Sequence, residues 1–152
     1  MTLVRYEAHE SVAVITVDNP PVNALSPGVP GGIIAGLKQA NTDSDIVAVV
    51  LVGEGRGFIA GADIRYFSKP WPDDEPRLGD VIRAFEQSSK PVVAAIHGHA
   101  LGGGLELAMC CHYRVIVPKA KVGQPGSNSG YPLAPEVRND CPDWPVPRQH
   151  WT

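Results

Sequence analysis

The sequence predicts an α/β fold with mostly buried strands, and three observations carry that expectation. Apolar runs rich in β-branched residues, at 46–52, 91–96 and 113–117, read as strands covered inside a layered sheet. Between them, two segments repeat apolar residues at the helical spacing, one through Ile33, Ile34, Leu37 and Ala40, the other through Val81, Ile82 and Phe85. Strands and helices therefore alternate along the chain, as they do where helices cover a sheet.

Taken in order, residues 11–18 alternate small or apolar with β-branched side chains. They stop at Asn19-Pro20-Pro21, where proline removes the ladder donor, so a strand ending in a turn is expected. Residues 3–7 can pair with it. The helix through Ile33 and Leu37 is weakened at its start by Gly31, Gly32 and Gly36. The run 46–52, bounded by Asp45 and Gly53, is expected to be a strand covered on both faces. Residues 69–77 hold Pro70, Pro72 and Pro76 among Asp73, Asp74 and Glu75, too polar and too broken for an element. This is a surface loop, either covering a site or simply solvated. The run 113–117 repeats the buried-strand pattern, and no internal repeat is visible.

At 152 residues the chain suits a single domain. Thirteen Lys and Arg against sixteen Asp and Glu give a formal charge of -3 without a basic run, so no nucleic-acid partner is expected. The longest apolar stretches fall far short of the ~20 residues that cross a bilayer, so no membrane partner is expected either. The start, with Glu7 and Glu10, lacks the pattern of a secretory signal, and a cytoplasmic location is the expectation. Cys110 and Cys111 are adjacent and Cys141 stands apart, a spacing of idle thiols rather than of a metal site or disulfide framework. His97 and His99 could ligate a metal, but no Cys or carboxylate completes a set nearby, so they read as loop histidines and no metal is expected.

Two glycine-centred stretches follow buried strands and read as strand-to-helix loops. The first runs over 57–64 and includes Ala60, Gly61, Ala62, Asp63 and Ile64, with Arg65 just beyond. The second runs over 98–109 and includes Gly102, Gly103, Gly104 and Glu106. Glycines there let a ligand approach the backbone, and a helix starting near Leu105 leaves its first amide groups unpaired. Such preorganised N–H donors stabilise a carbonyl oxygen that gains charge during reaction. Taken singly, either loop reads better as close packing and a tight turn. Asp63 suits a backbone cap, Asn19, Asn23 and Ser26 suit turn chemistry, and His112 and Arg114 suit packing or surface charge.

The two loops in this order resemble the crotonase (enoyl-CoA hydratase/isomerase) family. The resemblance runs from about Val4 to Pro125, through Asn19-Pro20-Pro21-Val22-Asn23-Ala24, Ala60-Gly61-Ala62-Asp63, Lys90-Pro91-Val92-Val93-Ala94-Ala95, the triple glycine with Glu106, and Gly123-Gln124-Pro125. Residues 103–106 continuing into Cys111-His112-Tyr113-Arg114 look most like the hydratase part of bifunctional enoyl-CoA hydratase/3-hydroxyacyl-CoA dehydrogenases. The resemblance implies a crotonase-like ββα spiral, of which this chain holds the N-terminal part, and fatty acyl-CoA substrates hydrated in β-oxidation. It places the backbone N–H groups of Ala62 and Gly103 in an oxyanion hole. Ala60, Gly61, Ala62, Asp63, Ile64 and Arg65 would line the coenzyme A path, with Gly102 and Gly103 also at the substrate. Glu106 matches the first of two family glutamates that move protons during hydration. Coenzyme A belongs to the substrate, so no separate cofactor is implied, and family members are homo-oligomers, trimers or hexamers.

The second glutamate of the family follows Gly-Gln-Pro directly, and here that position is Gly126, which has no titratable group. The family-like core is expected at 1–125 and an irregular, proline-rich tail at 126–152. Choosing permitted codons for 129–152 and reading the neighbouring register gives a glycine-rich PGARGTQRLPR stretch like the family's own continuation. The expectation is a frameshifted and truncated domain with impaired hydration, or else a non-catalytic acyl-CoA-binding or interaction fragment.

Overall fold

A computed structural model describes residues 2–124, so Pro125, Gly126, Cys141 and the expected tail lie outside the described residues. The alternating residues after Ser11 form β2, Val12–Val17, which pairs antiparallel with β1, Val4–His9; Val4 sits opposite Val17 and His9 opposite Val12. Helix α1, Val29–Thr42, then carries the chain across to β3, Ala48–Gly53, which lies parallel to β2. Parallel neighbours need such a crossover. Helix α2, Leu78–Glu86, makes the next one, to β4, Val92–Ile96. After β4 come the short β5, His99–Leu101, helix α3, Gly103–Cys110, then β6, Tyr113–Ile116, and β7, Lys121–Gly123. The main sheet has the order β1-β2-β3-β4-β6, while β5 and β7 form a small parallel pair of their own.

Alternate residues of the central strands, Ala13, Ile15, Val17, Val49, Leu51, Val92 and Ala94, join Ile33, Leu37, Val81 and Phe85 in one core. The glycines of α1 are explained by this packing: a Cβ on Gly32 would lie 2.7 Å from the Val4 Cβ, so the helix sits against β1 where a side chain would stand. Close approach outweighs the propensity lost. Lys90 Nζ donates to the carbonyls of Ala40 and Asp43 at the end of α1. Arg114 and His112 do more than supply surface charge. The guanidinium donates to the carbonyls of Cys111 at 2.9 Å and Met109 at 3.0 Å, closing α3, and His112 Nδ1 accepts the Val92 N–H at 3.1 Å.

Four expectations need correction. Strand β3 is fully buried only on the face of Val49 and Leu51, while Val50 and Val52 are half-buried. The run 113–117 is not buried: among the described residues β6 is an edge strand, with Tyr113 58% and Val115 63% exposed. A β-branched apolar run specifies a surface suited to a pleated sheet and is silent on what covers it. Helix α3 starts at Gly103 rather than near Leu105, because Gly102, at φ 50°, already turns the backbone as its N-cap. Finally, the first glycine loop leads into a single 3-10 turn, Ile64–Tyr66, and β5 intervenes in the second, so neither is a plain strand-to-helix connection.

Candidate active site

The site is built on a buried ladder of polar side chains from the turn after β2. Asn23 Nδ2 donates to the carbonyls of Glu54 at 2.8 Å and Gly57 at 2.9 Å, fixing the start of the first glycine loop. The Asn19 backbone N–H donates to Asn23 Oδ1 at 3.0 Å, and Asn19 Nδ2 donates to Ser26 Oγ at 2.8 Å. Ser26 Oγ in turn donates to Asp63 Oδ2 at 2.6 Å. Asp63 caps the 3-10 turn as expected, accepting the Arg65 backbone N–H at 3.0 Å, and it also takes the Arg65 guanidinium at 2.8 Å. These Arg65 bonds, helped by Ser26, hold the Asp63 carboxyl well below the usual carboxylate range despite its burial. Asn19, Asn23 and Ser26, which looked like turn residues, are thus the scaffold of the site.

Backbone pairing brings the two glycine loops together. The Leu25 N–H donates to the Gly61 carbonyl at 2.8 Å, and the Leu101 N–H donates to the Ile59 carbonyl at 3.0 Å. Gly61 adopts φ 96°, and a Cβ there would meet the Leu101 carbonyl oxygen at 2.7 Å and the Gly103 nitrogen at 3.3 Å. From the other side, a Cβ on Gly103 would lie 3.9 Å from the Ala62 nitrogen. The amides of Ala62 and Gly103 are therefore neighbours, and among the described residues neither N–H has an acceptor. Gly103 is the first residue of α3, whose dipole adds positive potential there.

Two cavities meet at Ala62. One, of about 400 Å³, is lined by Ala60, Ala62, Asp63, Ile64 and Arg65 together with the turn from Asn19 to Ala24. The other, of about 610 Å³, runs from Leu25, Pro30 and Ala62 towards Phe67, Trp71 and Leu78. Gly61 packs its backbone against 101–103, and Gly102 and Gly103 line neither cavity. Glu106, one turn into α3, lines neither as well. Its carboxylate is buried, burial pushes its pKa up, and an opposing hydrogen bond from Gln124 Nε2 to Oε1 spans 3.4 Å.

Within the loop 69–77, Lys69, Trp71 and Arg77 line the larger cavity. Trp71 packs edge-on against Tyr66 with ring centroids 6.0 Å apart, its Nε1 donates to the Glu75 carbonyl at 2.9 Å, and the Gly31 N–H donates to Glu75 Oε1 at 3.2 Å. Tyr66, Phe67, Trp71 and Leu78 have no motif spacing, and the one hint in the sequence is a tryptophan in an otherwise polar loop. His97 and His99 stay apart from this site, His97 Nε2 lying 3.2 Å from the Gly55 carbonyl. No set of three metal-ligating side chains and no helix long and apolar enough to cross a membrane occurs among the described residues. Cys111 is buried, which pushes its thiol up to about 12, in keeping with an idle thiol.

A family model for enoyl-CoA hydratase/isomerase matches residues 7–136. The chain belongs to the enoyl-CoA hydratase/isomerase family. Over 124 residues it is 49% identical to a peroxisomal bifunctional enzyme of Danio rerio, covering 81% of this chain and 17% of that protein. Over 135 residues it is 41% identical to a probable enoyl-CoA hydratase of Bacillus subtilis, covering 86% of this chain and 52% of that one. Among solved structures, an enoyl-CoA hydratase/carnithine racemase from Magnetospirillum magneticum superposes with a TM-score of 0.77 at 28% identity, over 88% of this chain and 53% of that chain. The fold is thus the N-terminal part of the crotonase-like ββα arrangement, and within the family the chain resembles the hydratase part of the bifunctional enzymes. It spans about half the length of the Bacillus relative and less than a fifth of the Danio one.

Proposed function

We propose that this chain binds fatty acyl-CoA thioesters, with the N–H groups of Ala62 and Gly103 donating to the thioester carbonyl oxygen. The single observation behind the reading is this pair of adjacent, uncommitted amide groups, of which Ala62 lies where two cavities meet. The acyl chain enters the larger cavity along Leu25 and Phe67. Coenzyme A, arriving as part of the substrate, runs along Ala60, Ile64 and Arg65. In hydration of a 2-enoyl-CoA, a water gives up one proton as its hydroxyl bonds to C3, a proton is delivered to C2, and the thioester carbonyl oxygen carries negative charge in between. Two amide donors facing that charge are worth on the order of a few kcal/mol each. Glu106, with its raised pKa, is suited to exchange a proton with the reacting water.

The second proton-transfer position is Gly126, so hydration is expected to be very slow. Gly126→Glu alone is expected not to restore it, because a carboxyl works only where its surroundings position it. A crotonyl-CoA hydratase assay alongside calorimetric titration with acyl-CoA tests both parts. Binding with negligible turnover supports the reading and favours a non-catalytic acyl-CoA-binding role, which Gly126 itself suggests. Normal turnover would overturn the impairment, and no binding would overturn the site.

A further inference from the structure

The Gly61–Ala62 and Gly102–Gly103 peptide units, whose N–H groups form the donor pair, are trans, so each carbonyl points away from its own N–H. Whatever holds the carbonyl therefore aims the donor at the other end of the same plane. For Gly103 that hold is the first turn of α3, where the Glu106 N–H donates to the Gly102 carbonyl at 3.0 Å. For Ala62 it is borrowed from another part of the chain. The Leu25 N–H donates to the Gly61 carbonyl at 2.8 Å, and Leu25 forms a parallel bridge with Ala62. One residue on, Ser26 Oγ donates to Asp63 Oδ2 at 2.6 Å, so bonds grip the chain on both sides of Ala62.

The segment 24–26 is itself placed by Asn19. Asn19 Nδ2 donates to the Ala24 carbonyl at 2.7 Å and to Ser26 Oγ at 2.8 Å, which leaves the Ser26 hydroxyl proton for Asp63. Asn19, Ser26 and Asp63 are all buried, where water offers no ready substitute for a lost partner. A carbonyl engaged in this way also polarises its peptide and strengthens the N–H opposite.

We infer that Ser26, oriented by Asn19, is a positioning residue for the oxyanion: it locks 24–26 onto 61–63, so that the Leu25 N–H aims the Ala62 amide alongside that of Gly103. This rests on the acyl-CoA reading above and assigns the alignment of one of its two donors to residues outside both glycine loops.

The test reads the carbonyl stretch of octanoyl-CoA, isotope-labelled at the thioester carbonyl, by difference infrared spectroscopy on the full chain. Hydrogen bonds to the oxygen lower the stretch of bound ligand relative to free ligand. Ser26→Ala is expected to lose roughly half of that shift, as misalignment of one donor of two would give. Ser26→Thr, which keeps a hydroxyl, is expected to retain most of it. Replacing the Leu25 N–H by an ester oxygen cuts the hold directly, is expected to match Ser26→Ala, and supplies the same cut should Ser26→Ala not fold. Gly32→Ala, which disturbs α1 against β1, is expected to leave the shift unchanged, so lost stability alone does not reproduce the effect. The signal comes from bound ligand, and a partly unfolded preparation does not imitate it. A full shift in Ser26→Ala, or in the Leu25 ester, overturns the inference and leaves the donors standing. A loss of the same size in Ser26→Thr or Gly32→Ala would assign the effect to packing and overturn it too. If the unaltered chain binds no ligand, or binds it without a shift, the donor reading fails first and this one with it.

Discussion

Gly61 meets two constraints at once, a left-handed φ of 96° and a carbonyl oxygen 2.7 Å from where a Cβ would stand. Relief of one would not relieve the other, since the oxygen belongs to the backbone of Leu101. Gly61→Ala is expected to cost about 1–3 kcal/mol from backbone strain alone and to push the amides of Ala62 and Gly103 apart. Unchanged melting together with unchanged acyl-CoA affinity would contradict this. The two buried carboxyls oppose one another in their pH dependence. Asp63, depressed by Arg65 and Ser26, contributes stability above the ordinary aspartate range of about 3.9 that is lost as pH falls through its folded value. Glu106, raised by burial, opposes folding above its folded pKa and ceases to do so below about 4.3, where it is protonated in both states. Glu106→Gln is therefore expected to raise the melting temperature at pH 7 and to leave it nearly unchanged near pH 4. An equal shift at both pH values would show that charge burial is not the cause.

Adjacent glycines in α1 make opposite predictions. A Cβ on Gly31 would meet only the flexible end of Glu75, at 3.3 Å, whereas one on Gly32 would stand 2.7 Å from the Val4 Cβ. Gly31→Ala is expected to stabilise by up to about 1 kcal/mol through helix propensity. Gly32→Ala is expected to destabilise by about 1–3 kcal/mol through overpacking against β1. Urea midpoints for the two variants decide it, and a shared sign would mean that α1 does not sit on β1 as described. Much at this scale was legible. The period through Ile33 and Leu37, the strand stop at Asn19-Pro20-Pro21 and the cap at Asp63 all follow from local chemistry. What was not legible is tertiary: the glycines of α1 read as weakness because their reason is Val4, and Asn23 read as a turn residue because its acceptors, at Glu54 and Gly57, lie far along the chain. The cavity wall of Tyr66, Phe67 and Trp71 escaped for the same reason, since no period marks residues gathered from a turn and a loop.

Among the described residues, several large apolar side chains near the C-terminal end of the described chain are exposed. Tyr113, Val115 and Ile116 on β6, with Met109 on α3 and Val122 on β7, are each at least half exposed. Exposed apolar side chains in this number promote association. Sedimentation of the full chain is expected to show concentration-dependent species larger than 16.2 kDa, reduced by Val115→Lys/Ile116→Lys. A monomer at all concentrations would mean the edge is covered. The sequence analysis placed 113–117 in a strand and misjudged its burial, because the same side chains suit a covered face and an open one. The two loops were legible as glycine-rich turns, while their juxtaposition depends on pairings that no single segment encodes.

Those pairings bear on how fast the site can exist at all. Val50 finds Val93, and Ser26 finds Asp63, only after long stretches of chain have been closed into loops, and the entropy of closure is spent before any contact offsets it. The neighbouring amides of Ala62 and Gly103 come together only when such distant pairings have formed. In stopped-flow experiments an acyl-CoA ligand is expected to slow unfolding while leaving the refolding rate unaltered.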